Sequence, residues 1–564
     1  MYVVKDRSPR PPLTRSRQCS LSYGNSIQIY RSICPSKPLP KPRHATLRAL
    51  YQPSPATAGK PEVLDPGAII LYFPAPHSIT GQDVLELHLH GGPAIIRAVL
   101  AAIHTCSAFT SHSPIRHAEP GEFTRRAFLD GRLSLPQIEA LGDTLSAYTE
   151  QQRRLSLKGS GIGLTSLYES WRRHLIEARG MLEALIDFSE DQSFETTPKE
   201  LLAGVTNAII HLKSRLANYV QNAVKGELLR DGISISLVGA PNVGKSSLLN
   251  RIVGREAVIV SPEAGTTRDV VDLRVDLGGY VMVVGDTAGL RIGDVGGATE
   301  GRDIVGDVEK EGIKRAKKRV MEGDVIILVL AFERDKQSGQ VTLPIPREVV
   351  SVIEDALSVE PPKEVLIAAN KLDILIPPGA SGDEGQLPSI PDVFQAKIRA
   401  TFPTVPGDAI VGISCKHDHP KHGHSASVAP ENTAIQPILH SLIALFQRMT
   451  SPTASSSLPV NSAEAESSLA ATTRQRLLIE ECLKYLEQYL RIAQCGEGLG
   501  ESAGAGAGAG ADAGADAGAV DVVIAAEELR SAAECLAKIT GKGEGAGDVG
   551  EVLGVVFERF CVGK

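Results

Sequence analysis

Between residues 164 and 216 apolar side chains recur three and four positions apart. Leu164, Leu167, Trp171, Leu175, Ala178, Leu182 and Leu185 form one series; Leu202, Val205, Ile209, Leu212 and Leu216 form a second. Each lies on one face of a 3.6-residue repeat, so the spacing predicts amphipathic helices across 134–228. Upstream the period shortens. Residues 68–73 ("AIILYF") and 83–90 ("DVLELHLH") read as strands, the second alternating apolar and polar positions. "HGGP" at 90–93 ends that strand, and 94–104 reads as a helix. A small α+β domain is therefore expected over 41–133. Residues 229–448 alternate β-branched runs with helical stretches, the pattern of a parallel sheet with crossover helices. Helical spacing returns at 473–493, and further helices are expected near 522–540 and 548–560. An α/β domain thus interrupts a helical one, whose second half is 473–564.

Composition changes this picture at three places. Residues 1–50 carry ten Lys/Arg and a single acid, Asp6. An Arg- and Ser-rich, acid-poor leader over 1–40 suits import into an organelle. Prolines at 9, 11 and 12 interrupt any helix there, and a basic tail is the alternative. The Ser/Ala/Pro-rich stretch 449–472 reads as a linker. The repeat "GAGAGAGAGADAGADAGA" lies within 496–520, a low-complexity insertion. A net charge of -7 is too small to make the whole chain a polyanion binder. No apolar run approaches the ~18 residues that span a bilayer, so no membrane insertion is expected. Eight cysteines without a CxxC pair point away from a zinc site or a disulfide framework.

The candidate chemistry centres on "SISLVGAPNVGKSSLLN" (234–250). Gly239-x4-Gly244-Lys245-Ser246 between a strand and a helix is a phosphate loop. Its backbone N–H groups, from Asn242 and Val243 to Ser247, face an anion at a helix N-terminus. Lys245 would reach the β- and γ-phosphates, and Ser246 a Mg²⁺ ion. Asp286-Thr287-Ala288-Gly289 follows a strand and would sense the γ-phosphate and the metal. Asn370-Lys371-Leu372-Asp373 follows another, where a carboxylate can accept from both the ring N–H and the 2-amino group of guanine. Adenine offers no such pair, so GTP is preferred over ATP. Ser414-Cys415-Lys416 fits the loop behind the base. Leu290 stands where many small GTPases carry a water-orienting Gln. Asn242, loop carbonyls and Thr266 could hold a potassium ion in place of an arginine finger, with Thr267 completing the Mg²⁺ shell. Asn242 could equally stabilise its turn.

With "GQDVLELHLHGGP" (81–93), "PGEFTRRAFLDGRLSLPQIEAL" (120–141), "GTTRD", "DTAGLR" and the closing "CVGK", these residues resemble the MnmE/TrmE family of tRNA-modifying GTPases. The resemblance runs from about residue 41 to 564. It implies a folate-binding, dimerising N-terminal domain, a helical domain, and a G domain inserted in it. It implies a K⁺-activated GTPase, with Asn242, Ser261, Glu263 and Thr266 as potassium ligands and Glu309 orienting water. It also implies that a homodimer works with an FAD-dependent MnmG-type partner on tRNA in mitochondria. Together they would form a C5 aminomethyl-type group on the wobble uridine from a tetrahydrofolate one-carbon unit (5-formyl or 5,10-methylene). Glu86, Arg132 and Lys564 would meet the folate, and Cys561 would lie at the chemistry. Arg132 stands where the family pattern has Lys, and the stretch before Glu309 is longer than that pattern, with glycines at 293–301. The family opens with a segment that brings its first strand, and residues 1–40 show nothing like it, so that strand is expected to be missing. A ribosome-assembly GTPase and a non-catalytic homologue are the alternatives.

Overall fold

The computed structural model describes residues 2–6, 19–21, 26–53, 62–106, 115–187, 197–255, 258–261, 273–284, 322–335, 339–360, 362–376, 388–416, 434–453, 462–497 and 521–542. The chain divides into two compact units. One comprises Met1–Leu145, Gly159–Ala217 and Arg474–Lys564, and the other Ser146–Lys158 and Asn218–Thr473. Among the described residues no helix is long and apolar enough to cross a membrane.

The first unit opens with a six-stranded sheet. Its strands are β1 (Tyr2–Asp6), β2 (Cys19–Leu21), β3 (Thr46–Tyr51), β4 (Val63–Phe73), β5 (Val84–Leu89) and β6 (Arg116–His117), in the spatial order β3-β4-β5-β1-β2-β6. Alternation sorts β4 and β5 into two faces. Ile70, Tyr72, Leu85, Leu87 and Leu89 turn to a core shared with Ile29, Tyr30 and Ile33 of α1 (Ser26–Ile33) and Val99, Leu100 and Ile103 of α2 (Pro93–Thr105). Ile69 and Leu71 of β4 stand opposite His88 and Glu86 of β5 on the other face, which is partly exposed.

Two expectations fail here. Residues 1–40 are not wholly a leader: α1 buries Ile29, Tyr30 and Ile33 completely. Nor does the sheet lack its strand, because β1 pairs in parallel with β5 from Tyr2↔Leu85 to Asp6↔Leu89. The basic composition hid both elements, since β1 is held by pairing with a distant strand rather than by a local pattern.

The helices of this unit follow the predicted spacing. They are α3 (Glu122–Leu129), α4 (Leu135–Ser146), α6 (Ile162–Asp187), the first part of α7 (Pro198–Asp231), and the helices Thr473–Glu497 and Val522–Thr540. Trp171, Leu175, Leu182, Leu216, Leu486, Tyr489 and Leu536 are fully buried. Arg474 knits the unit together. Its guanidinium donates to Glu139 Oε1 (2.5 Å) and to the carbonyls of Lys538 (3.2 Å) and Ile539 (3.1 Å) at the end of the last helix. The adjacent Gln475 donates to Glu139 and accepts from the Tyr168 hydroxyl at 2.9 Å.

The second unit is built on a seven-stranded sheet, in the order β15-β14-β11-β7-β10-β9-β8. Its strands are β7 (Ile233–Val238), β8 (Val258–Ser261), β9 (Leu273–Leu277), β10 (Tyr280–Val284), β11 (Val325–Ala331), β14 (Glu364–Asn370) and β15 (Ile410–Gly412). β12 (Glu333–Arg334) and β13 (Val341–Thr342) form a separate hairpin. The pairings from β15 to β10 are parallel, and β9 is antiparallel to both of its neighbours. Every residue of β11 is buried. Val325, Ile327 and Val329 enter one core and Ile326, Leu328 and Leu330 another, as a central parallel strand covered on both faces requires.

This unit departs from the predicted boundaries at both ends. Helix α5 (Glu150–Ser160) belongs to it because Gln151 N donates to Gly279 O at 3.3 Å and Gln152 Nε2 to Arg230 O at 2.8 Å. The predicted linker 449–472 is largely structured. The helix Gln436–Thr450 runs into it, Ser462–Ser468 is helical, and Leu469 and Ala470 pack on Leu155. Arg230 donates to the carbonyls of Ala471 (2.9 Å) and Ala470 (3.1 Å).

Helix α7 meets this segment at Gly226, where a Cβ would lie 1.8 Å from the Leu469 carbonyl oxygen. Gly226→Ala should lower stability by about 1–3 kcal/mol through overpacking, despite alanine's better helix propensity. Gly204→Ala, in the same helix with open space around it, should instead gain ~0.5–1 kcal/mol. Thermal unfolding of the two variants measures both signs.

Candidate nucleotide site

The loop 239–246 joins central strand β7 to α8 (Lys245–Arg255), so the first N–H groups of α8 lie at the C-terminal end of the sheet. Asn242 adopts φ 61°, the left-handed region, which suits its turn-forming side chain. Gly244 has φ 99°, and a Cβ there would lie 2.3 Å from Asn370 Nδ2. Only glycine meets both conditions. Lys245 Nζ donates to Gly239 O at 2.8 Å and Ala240 O at 2.7 Å, so its ammonium sits within the loop. Burial lowers its pKa from the usual lysine range. Ser246 and Ser247 occupy the first turn of α8, and Val243 is buried beneath the loop.

Asn370, the last residue of β14, joins this loop to the base-side loop. Its Nδ2 donates to Val243 O at 2.7 Å, and its Oδ1 accepts from Cys415 N at 3.1 Å. It is 1% exposed. Lys371 turns the chain at φ 64° into the short 3₁₀ helix Leu372–Leu375. There Asp373 Oδ1 accepts from the Ser414 hydroxyl at 2.8 Å, and Oδ2 lies 3.5 Å from Lys416 Nζ. The carboxylate keeps lone pairs for two further N–H donors, which is what a guanine edge presents. Burial pushes the Cys415 thiol up to about 11, so it stays protonated at neutral pH and serves as backbone.

The structure thus brings together Asn242, Val243, Gly244, Lys245, Ser246, Ser247, Asn370, Lys371, Asp373, Ser414, Cys415 and Lys416. Ser261 closes β8. Glu263, Thr266, Thr267, Asp286, Thr287, Ala288, Gly289, Glu309, Cys561 and Lys564 lie outside the described residues, as does the helix expected near 548–560. Among the described residues no group of three or more His, Cys, Asp or Glu is placed to hold a metal. Ser246 and Asn242 offer the hard oxygen donors that Mg²⁺ and K⁺ take. In the other unit, Glu86 projects from β5 with Oε2 3.2 Å from His88 Nε2, and Arg132 is exposed just after α3.

Sequence reasoning missed Arg251. Its guanidinium donates to Ser414 O at 2.7 Å and pins the base-side loop to α8. Position 251 follows the phosphate loop by five residues, but only the fold reveals its partner.

Two family models match the chain: MnmE helical domain over residues 135–561, and GTP-binding protein TrmE N-terminus over 20–132. A tRNA modification GTPase MnmE from Paramagnetospirillum magneticum is 35% identical over 529 residues, 94% of this chain and 92% of that protein. This chain belongs to the MnmE/TrmE family of tRNA modification GTPases. It is a GTP hydrolase. The mitochondrial tRNA modification GTPase MSS1 of Saccharomyces cerevisiae is 31% identical over 550 residues, 96% of this chain and 89% of that one. The mitochondrial 5-taurinomethyluridine-[tRNA] synthase subunit GTPB3 of Danio rerio is 41% identical over 295 residues, 52% of this chain and 54% of that one. Among solved structures, the G domain of the T. maritima FeoB iron transporter is matched over 39% of this chain and 99% of that one, at 16% identity and a TM-score of 0.20.

Asp373→Asn should exchange GTP for xanthosine triphosphate preference, measured by competition for a fluorescent nucleotide. Asn370→Ala should cost about 1–3 kcal/mol for each orphaned group, Val243 O and Cys415 N. It should also weaken GTP binding, which calorimetry and thermal unfolding would record separately.

Proposed function

We propose that this MnmE/TrmE member uses GTP hydrolysis to form the C5 aminomethyl-type modification of tRNA wobble uridine in mitochondria. The observation that carries the reading is the pair of loops joined at Asn370, which would hold the phosphates and the guanine in one frame, within a chain related along most of its length to tRNA modification GTPases. The names of MSS1 and GTPB3 support the compartment and the tRNA substrate.

Lys245 and the α8 N-terminus would hold the phosphates, Ser246 and Thr267 the Mg²⁺, and Asp373 the base. Asn242, Ser261, Glu263 and Thr266 would hold K⁺, which supplies positive charge where Leu290 offers no help. Glu309 would orient the attacking water. Asp286, Thr287, Ala288 and Gly289 would register the γ-phosphate. The chain would work as a homodimer with an FAD-dependent MnmG-type partner, which brings the flavin.

The one-carbon unit would come from a tetrahydrofolate derivative bound by Glu86 and Arg132, with Lys564 meeting its carboxylates and Cys561 at the chemistry. The end of the helix Val522–Thr540 favours this arrangement. A Cβ on Gly541 would lie 2.7 Å from Phe128 Cζ in α3. Gly541 therefore lies beside α3, which ends at Leu129, close in sequence to Arg132.

GTP turnover should be at least about tenfold faster in K⁺ than in Na⁺, a modest effect beside the ~10³–10⁵ of an arginine finger. Asn242→Ala should erase the difference; equal rates in both cations for the unaltered chain would refute the potassium site. Deleting residues 561–564 should abolish the wobble modification, read by mass spectrometry of mitochondrial tRNA nucleosides.

A further inference from the structure

Asp65, in β4, is completely buried, yet every hydrogen bond it accepts serves one place. Oδ1 accepts from Gly67 N at 2.9 Å and from the His90 ring Nδ1 at 2.8 Å, and Oδ2 accepts from His90 N at 2.9 Å. Burial alone would raise this carboxyl, but the backbone and ring N–H donors outweigh it and hold it below the ordinary aspartate value, so it is ionised at neutral pH. An ionised carboxylate only accepts, so Nδ1 of His90 carries a proton and donates to it, which leaves Nε2 as the ring nitrogen turned away from Asp65. The His90 side chain is 53% exposed.

The surroundings keep this arrangement in place. His90 directly follows β5, and Gly92 N donates back to His90 O at 2.8 Å as the chain turns into α2. A Cβ on Gly67 would lie 3.3 Å from His90 Cε1, so glycine there leaves room for the ring. By strand alternation His90 shares the partly exposed face of the sheet with Glu86 and His88. A buried charge is expensive unless it is paired, and a well-packed apolar residue would stabilise the sheet at least as well. A buried ionised carboxylate that fixes the tautomer of a solvent-facing imidazole is the arrangement that general acid–base sites use.

We propose that His90 is a proton-transfer residue on this face, and Asp65 its positioning residue. The proposal rests on the folate reading above. Nε2 gives a proton to, or takes one from, an amine nitrogen of a tetrahydrofolate derivative held at Glu86. Solvent restores the proton at the exposed ring, so no oxidant or reductant takes part. Four residues separate Glu86 from His90, about 13 Å at ~3.3 Å per residue of extended chain, a gap the ligand must bridge.

The test uses the full-length chain. Without any ligand, diethyl pyrocarbonate labelling of His90 at pH 7.5, read by mass spectrometry, reports the free Nε2. Asp65→Asn can donate to Nδ1 and reverse the tautomer, so labelling should fall about tenfold or more. His90→Gln should lower wobble-uridine modification ~10²-fold, with an unaltered circular dichroism spectrum and 5-formyl-tetrahydrofolate affinity within about twofold of the unaltered chain. Added imidazole should restore part of the activity to His90→Ala. Unchanged labelling in Asp65→Asn, or full modification by His90→Gln, would overturn the proposal alone. Failure of 5-formyl-tetrahydrofolate to bind the unaltered chain would overturn the folate reading as well, and so separates the two.

Discussion

The side-chain amide of Asn370 is the constraint on which the nucleotide site depends. Its donor half is spent on the phosphate loop and its acceptor half on the base-side loop. Because it is buried, water cannot replace either bond, and both loops are held to one another rather than only to their own strands. The sheet sets the scale. β7 and β14 are separated by one strand, β11, hence by about 10 Å at ~4.8 Å per strand. Gly244 completes the contact, since any side chain there would occupy the place of the amide. The two loops are therefore one piece of geometry, and a change at either is felt at the other.

The N-terminal sheet shows a different economy of faces. One side is given to α1 and α2 and is packed with apolar side chains such as Ile70, Leu85 and Leu87. The other carries Glu86 and His88 of β5, with His90 just past the end of the strand and backed by an aspartate that faces no solvent. The alternation "ELHLH" was legible as a half-buried strand, but not the identity of its buried partner, because Asp65 lies 25 residues upstream of His90.

Much of the rest could be read before the structure. The phosphate loop, the Asn-Lys-x-Asp turn, the helical series around Trp171 and the helix Val522–Thr540 all carry local patterns strong enough to stand alone. What failed did so for physical reasons. β1 has five residues; its longest pairing is with β5, some eighty residues away, and β2 adds only a short antiparallel pairing on its other edge. In α1, Ile29, Tyr30 and Ile33 do form an apolar face, but a basic, proline-containing neighbourhood outweighed it. The small residues of 462–471 suggested a linker, whereas they let two backbones approach at Gly226 and Leu469. Composition cannot distinguish smallness that serves freedom from smallness that serves contact.

The arginines at 230 and 474 have a consequence for modularity. One holds the carbonyls of residues 470 and 471, the other those of 538 and 539, so only two residues of chain, Thr472 and Thr473, lie between the last carbonyl held and the next guanidinium. A gene fragment trimmed to the sheet, ending at the helix Gln436–Thr450, would strand the first guanidinium, and one extended past 474 would strip the second from its helix end. A transplantable nucleotide module has to join the separate segment 146–158 to 218–473 and stop at 473, which leaves recombination very little choice of where to cut.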